Sequence, residues 1–267
     1  MFYTRSGNNN FLTKQVTIIR SMLPSFVQEI KSNVRKILMY FKIDLNQNMR
    51  YDRLTKDIMQ SVVKSDSVCV DIGAHRGEVL QLMCGLAPNA VHYAFEPLPV
   101  YFKLLNPDYS GRAMVYPFAL ADTSGVSDYV HVKNAPAYSG LKQRSYDCKP
   151  DLEILEVHTR PLDNIIPDDV VVRFIKIDVE GGELAVLKGA ANCIVRHNPV
   201  IVFEFGLGAS DYYSVTAEVF FDFVNTHLKQ QIYLVADFLK KAQPLTRNQF
   251  VEYYQLNKDY YFVSHAS

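Results

Sequence analysis

The sequence predicts an α/β fold, a mostly parallel sheet with helices on both faces. Three observations predict it. Apolar runs of strand length alternate with segments of helical periodicity between Val68 and Phe118. The connections between them are short, as in strand–helix–strand units whose crossover returns the chain to a parallel neighbour. Two apolar runs, one reaching Asp71 and one reaching Asp178, pass directly into glycine turns that open helices. Glycine tolerates positive φ and has no Cβ, so such turns let a ligand approach the backbone.

Taken in order, residues 1–10 are polar and Asn-rich and are expected to fray. Phe11, Leu12, Val16, Ile19 and Met22 form a loose amphipathic pattern that Pro24 interrupts. Phe26, Ile30, Val34, Ile37, Leu38 and Phe41 recur at helical spacing, with Ser25 as N-cap and Lys31, Arg35 and Lys36 off the stripe. The stripe is read as packing on the body or on a second subunit, with peripheral docking on an anionic membrane as the alternative for residues 11–42. Tyr51 to Lys64 forms a further helix. Strands are expected at Val68–Asp71, Val91–Glu96 and Ala113–Phe118, with helices after Gly77 and over Val100–Leu105. Residues 122–160 break this rhythm with short strands at Ser127–Val132 and Ile154–Thr159, and read as a substrate-side insertion. The sheet resumes at Val170–Asp178 and Pro199–Phe205, followed by a helix Val215–Leu228 capped by Ser214 and strands at Gln231–Val235 and Tyr260–Ser264. The expected organisation is a basic helical arm over residues 1–60 and one domain over 61–267.

Composition narrows the partners. Lys plus Arg and Asp plus Glu are balanced at 28 each, so nucleic acid is not expected. The first sixty residues hold ten basic and four acidic side chains, which sets a basic arm on a mildly acidic body. Cys69, Cys84, Cys148 and Cys193 lie far apart without a C-x-x-C pair and read as free thiols in a reducing compartment. The opening residues show no signal-peptide pattern and no apolar run is of membrane-spanning length, so a cytoplasmic location is expected, with the inner membrane face as the peripheral alternative.

The chemistry concentrates at two places. Asp71-x-Gly73-x-x-x-Gly77 ends the first strand, and Glu96 ends the second. In nucleotide-binding α/β folds a carboxylate at the second strand end accepts hydrogen bonds from ribose hydroxyls, while the glycine turn meets the adjoining part of the ligand. The spacing G-x-x-x-G lacks the middle glycine that admits a pyrophosphate, and Asp71 would repel phosphate but suit the ammonium of an amino-acid moiety. These features favour S-adenosylmethionine over a nicotinamide dinucleotide. The second place is Lys176-Ile-Asp178-Val-Glu180-Gly-Gly182-Glu183. Asp178 and Glu180 read as groups that hold the cationic cofactor's methyl end, orient an acceptor hydroxyl or take its proton, because charge at a buried strand end is costly without a purpose. Glu183 reads as a helix N-terminal acid favoured by the dipole.

Other residues leave alternatives open. His75 serves either as a general base or as a turn residue bonded to its own backbone. His158 reads as structural. Glu204 is a further candidate for acceptor or metal contact, and carboxylates at Asp178, Glu180 and Glu204 would suit Mg²⁺, although no spacing demands a metal and none is expected. Tyr138-Ser-Gly-Leu141 is a candidate sugar contact.

Val70-Asp-Ile-Gly-Ala-His-Arg-Gly-Glu-Val79, Ala94-Phe-Glu-Pro97, Phe118-Ala-Leu-Ala-Asp122 and Phe174-Ile-Lys-Ile-Asp-Val-Glu-Gly-Gly-Glu183 together resemble the FkbM family of S-adenosylmethionine-dependent methyltransferases. The resemblance covers about residues 60–205 and is most specific at Lys176–Gly181. It implies a Rossmann-like class I methyltransferase fold with a mostly parallel seven-stranded sheet, and methyl transfer to a hydroxyl, often on a sugar or polyketide. By the resemblance Asp71, Gly73, Ala74 and Gly77 line the cofactor's methionine side. Glu96 and Pro97 lie at the ribose and Ala119 and Leu120 near the adenine. Asp178 and Glu180 sit at the reaction centre. Ala121 and Arg160-Pro-Leu-Asp163 depart from the usual pattern without threatening the fold. The acceptor is not implied, beyond a small molecule or glycan. The rival readings are a nicotinamide-dependent oxidoreductase and a non-catalytic docking module of the same fold.

Overall fold

The structure, a computed structural model, describes residues 46–146 and 149–266. The arm helix expected around residues 25–41, its docking role and Cys148 lie outside the described residues. The chain divides into two units, Met1–Arg53 and Leu54–Ser267, and the division falls inside helix α1, Gln47–Val62. At the start of α1, Asn46 caps the helix by accepting the amide of Met49 at 2.9 Å.

The second unit follows the expected alternation. Strand β1 (Val68–Ile72) leads to helix α2 (Glu78–Leu86), β2 (His92–Phe95), α3 (Pro99–Asp108) and β3 (Ala113–Tyr116). A short β4 (Ala119–Leu120) then opens a separate set with β5 (Gly125–Val132) and β6 (Leu152–Arg160). The main sheet continues with β7 (Val172–Ile177), α4 (Glu183–Gly189), α5 (Ala191–His197), β8 (Val200–Glu204), α6 (Ala217–Asp222), β9 (Gln231–Leu234), α7 (Val235–Phe238), α8 (Arg247–Gln255) and β10 (Tyr261–His265). The seven-stranded order is β3-β2-β1-β7-β8-β10-β9. All neighbours are parallel except β10, which runs antiparallel to both β8 and β9. The strand order reverses at β1 and β7, which places the ligand crevice at their carboxyl ends.

Strand periodicity builds two cores. Val70, Ile72, Ile175, Ile177, Ile201 and Phe203 face α4, α5, α6 and α8. Cys69, Ala94, Phe174, Val200 and Val202 face α2, α3 and the part of α1 from Leu54 onward. Successive side chains in a strand point to opposite faces, so a strand buried on both sides reads as one apolar run. Phe205 stacks on Phe220 with ring centroids 4.0 Å apart, and Phe250 meets Phe262 at 4.8 Å. Burial of each such ring stabilises the fold by about 2–3 kcal/mol.

The insertion forms a three-stranded sheet, β4-β6-β5. β5 and β6 pair antiparallel from Gly125↔Thr159 to Val132↔Leu152, and Gly140 bridges back to Val130. Two expectations are corrected. Ser214 does not N-cap the helix: with φ +56° it ends the short 3-10 turn Ser210–Tyr213, and Thr216 caps the helix by accepting the amide of Val219. The expected helix to Leu228 is α only over α6, and then widens into a π-helical turn at Phe223–His227. Helix α8 was not expected, although Thr246 and Gln249 form the reciprocal capping box that signals such a start.

Candidate active site

Alternation decides which acids share a face. Residues Asp71, Lys176, Asp178 and Glu204 are in step with the side chains of the second core, and Tyr261 packs against that core. All lie at the carboxyl edge of the parallel strands, where antiparallel β10 places its first residue beside Glu204.

The turn after β1 is closed by main chain. The amides of Gly73 and Ala74 donate to the carbonyl of Phe95 at 3.0 and 3.1 Å. Gly73 has φ +80°, and a Cβ there would lie 1.9 Å from the carbonyl oxygen of Asp178. Its glycine therefore serves the close approach of β7 as well as any ligand. Gly77 has φ +81°, and its missing Cβ makes room for Leu105 at 2.6 Å. Glu96 accepts the amide of His75 at 2.7 Å and that of Leu98 at 2.8 Å, one on each oxygen. Burial nonetheless raises its pKa to about 7, against the lowering effect of those amides. Each oxygen keeps a second lone pair for a ligand hydroxyl.

Asp71 is buried, and its Oδ2 has no hydrogen-bond partner among the described residues. Burial lifts its pKa to about 7, with Lys176 opposing. Ala74 and Pro97 are buried beside this turn. Ala119 packs with Leu98, Tyr101 and Tyr129, whereas Leu120 turns to the other core with Phe118 and Leu162. The ring of His75 lies 4.2 Å from that of Tyr101, with a buried Nε2 that lacks a partner among the described residues. Burial holds its pKa below the usual value, so the imidazole is neutral. Its φ of +47° makes it a turn residue as well.

Charged side chains hold the turn after β7. The ammonium of Lys176 lies 3.0 Å from Asp178 Oδ2, and Tyr261 donates to the same oxygen at 2.7 Å. Burial alone would raise the Asp178 pKa, but Lys176 and Tyr261 hold it below the ordinary carboxylate range. Glu204 is pushed well above that range by burial and by the charges of Asp178 and Glu180; it keeps its proton and is hydrogen-bonded to Asp178. Glu180 has φ +59°, and burial and Asp178 raise its pKa to about 8 while Arg144 opposes. Arg144 Nη2 lies 2.5 Å from Glu180 Oε2. Glu183 does more than meet a helix dipole: its Oε1 accepts the amides of Gly181 at 3.0 Å and Val179 at 3.3 Å, which fixes the turn from beneath.

The structure thus brings Gly73 against Asp178 and His75 against Glu96, and sets Gly140, from the Tyr138–Leu141 stretch, over Glu180. His158 is exposed on β6. Among the described residues no group of three or more His, Cys, Asp or Glu could hold a metal ion. Sequence reasoning missed Lys176, Tyr261 and Arg144 as partners. A lysine two residues before Asp178 in an apolar strand signals the first, since both point to one face. The other two come from distant segments. A cavity of about 250 Å³ beside Cys193 and His197 opens at the start of β7, the opposite edge, and takes no part in this site.

An open, mostly parallel sheet with carboxylates ending its first, second and central strands at the switch point defines the class, a doubly wound Rossmann-like α/β fold with its ligand crevice at that edge. The family model for the methyltransferase FkbM domain matches residues 71–235, more than half of the chain, and the chain belongs to the FkbM methyltransferase family. Its cofactor is S-adenosylmethionine. A crystal structure of an FkbM methyltransferase from Methylobacillus flagellatus is 16% identical with a TM-score of 0.47, and the alignment covers 93% of this chain and 60% of that one. The chain therefore spans three fifths of that relative's length. SMU.1697c from Streptococcus mutans, solved in complex with SAH, is 11% identical with a TM-score of 0.44, over 79% of this chain and 94% of that one. No curated protein matches the sequence. Among the described residues no helix is long and apolar enough to cross a membrane.

Proposed function

We propose that the protein is an O-methyltransferase acting on a hydroxyl of a sugar, a glycan or a related small molecule. The observation that carries this reading is the pairing of unlike carboxylates at one strand end. Asp178 stays ionised beside Lys176, while Glu180 sits at about 8. Paired acids whose environments separate their pKa values divide the roles of orienting and proton transfer.

The residues fit the cofactor. Buried carboxylates crowd the crevice, and Asp71 retains an oxygen without a partner, as suits a cationic ligand. Asp71, Gly73, Ala74 and Gly77 would hold its amino-acid end, Glu96 and Pro97 its ribose, and Ala119, rather than Leu120, its base. When bound, S-adenosylmethionine would supply an electrophilic methyl, its sulfur keeping the electron pair of the bond given up. Glu180 takes the hydroxyl proton, and Asp178 orients the hydroxyl. Neutral His75 is the second candidate for the proton, since its Nε2 is free to accept.

Calorimetry with S-adenosylmethionine tests the cofactor site: Glu96→Ala is expected to weaken binding at least tenfold, and unchanged binding would remove Glu96 from it. Transfer of labelled methyl into fractionated glycans and lipids, lost in Asp178→Asn, tests the acceptor class. Label appearing only on amines would overturn the O-methyl assignment.

A further inference from the structure

The insertion reaches the turn after β7 through Arg144. Besides its contact with Glu180, the guanidinium donates to the carbonyl of Gly208 at 3.3 Å and lies 4.8 Å from the centre of the Tyr138 ring. Its side chain is only 9% exposed, and its buried Nε has no partner among the described residues. The ammonium of Lys142, two residues earlier, sits 5.2 Å over the ring of Tyr213, which itself packs against Gly181. One short segment therefore carries two cations to the edge where the reacting hydroxyl must lie, and one of them has a donor unused. A buried donor left unmet is costly, and a ligand oxygen would meet it.

The other charges here are already matched. Lys176 neutralises Asp178, and Glu204 keeps its proton. Among the described residues the acid that Arg144 contacts is Glu180. A guanidinium presents a fork of donors suited to an oxyanion, and two neighbouring cations suit a doubly charged phosphate better than a singly charged carboxylate.

We propose that Arg144 is an acceptor-recognition residue: it binds a phosphate ester on the polyol to be methylated, and in binding it gives up Glu180. The proposal rests on the methyltransferase reading and extends it. Without acceptor, Arg144 masks Glu180. With acceptor, Arg144 and Lys142 hold the phosphate, and Glu180 is left without its guanidinium partner.

Calorimetric titration of the full chain loaded with S-adenosylhomocysteine tests this, with glucose 1-phosphate and with glucose as probes. The phosphate ester is expected to bind at least about tenfold more tightly than glucose, and Arg144→Gln to abolish that preference. Glu180→Gln is expected to tighten phosphate binding severalfold, because it removes the competitor for Arg144. Vesicles of phosphatidylcholine carrying phosphatidylinositol 4-phosphate, whose phosphomonoester is doubly charged, separate a lipid-borne polyol phosphate from a free one. Unchanged binding in Arg144→Gln, weaker binding in Glu180→Gln, or no binding of either phosphate source overturns the proposal. Retained S-adenosylhomocysteine binding by Arg144→Gln shows that the variant is folded. Failure of the wild-type chain to bind S-adenosylhomocysteine would bring down the underlying reading, and the proposal with it.

Discussion

The two glycine turns at the ligand edge are held by different forces. The turn after β1 is tied by amide-to-carbonyl bonds, and of the two acids beside it, Asp71 and Glu96, Glu96 accepts two main-chain amides. The turn after β7 is held by Lys176, Tyr261, Arg144 and Glu183, which arrive from three separate parts of the chain. Main-chain bonds and steric fit do not titrate over the physiological range, whereas charged side chains respond to protons and to charged ligands. The first turn is therefore suited to bind, and the second to react.

The largest expected effect breaks the first turn. Gly73→Ala would place a methyl 1.9 Å from the Asp178 carbonyl at a φ of +80°. β1 and β7 would have to part, at an expected cost of about 4 kcal/mol in urea denaturation, with loss of cofactor binding. Gly85→Ala is the control: in α2, where an added Cβ meets nothing within 4 Å, it is expected to stabilise by up to about 1 kcal/mol. Equal effects at both positions would show that steric fit does not set the first turn.

The second turn breaks by charge. Lys176→Met leaves Asp178 ionised and unpaired in a site where its side chain is 30% exposed. The expected loss is about 2 kcal/mol, reduced from the fully buried case by that exposure. Adding Asp178→Asn should recover part of it, because the second change removes the stranded charge. A strictly additive double-mutant cycle would mean the pair is not coupled.

Protons should separate the turns from the rest of the fold. Asp71, Glu96 and Glu183 have folded pKa values of about 7, and Glu180 of about 8, all above their ordinary values. Each therefore binds its proton more tightly when folded. Their contribution to stability is full below about pH 4 and is lost as pH rises through about 7 to 8. Asp178 acts in the opposite sense, and its contribution is lost only as pH falls through its depressed folded value. The ligand-free protein is expected to melt at progressively lower temperature between about pH 5 and pH 8, and S-adenosylmethionine to flatten the decline. A melting temperature that rises over this range would contradict the uncompensated burial of these acids.

What could be read from sequence follows the same division. Strand and helix order, the glycine turns and the acids at strand ends are local patterns, and the structure keeps them in order along one edge. Lys176 was readable in principle, as a lysine inside an apolar strand. Tyr261 was not, because nothing in Tyr260–Ser264 reveals that this last strand inserts antiparallel beside β8. Arg144 lies in a loop of the insertion, and its meeting with Glu180 depends on the β5–β6 hairpin folding back, which no periodicity records. Helix α6 failed in a different way. Apolar spacing extended it to Leu228, but a π-helical turn carries the same residue types as an α-helix.

Tyr261→Phe gives the smallest expected effect and the sharpest test of the second turn. It removes one hydroxyl at 2.7 Å from Asp178 and leaves the ring in place beside Lys176, whose ammonium lies 4.8 Å from its centre. Packing is kept, but the hydroxyl also accepts from Lys176 Nζ at 3.3 Å, so stability should fall by about 1–2 kcal/mol, the net worth of two hydrogen bonds. The pKa of Asp178 should rise, since the lost bond favoured its ionised form. An upward shift in the acid limb of the methyl-transfer pH profile, with cofactor affinity unchanged, would assign Tyr261 to the reacting end. A loss of cofactor affinity with no shift in the profile would assign it to the binding end, and the division between the two turns would not hold.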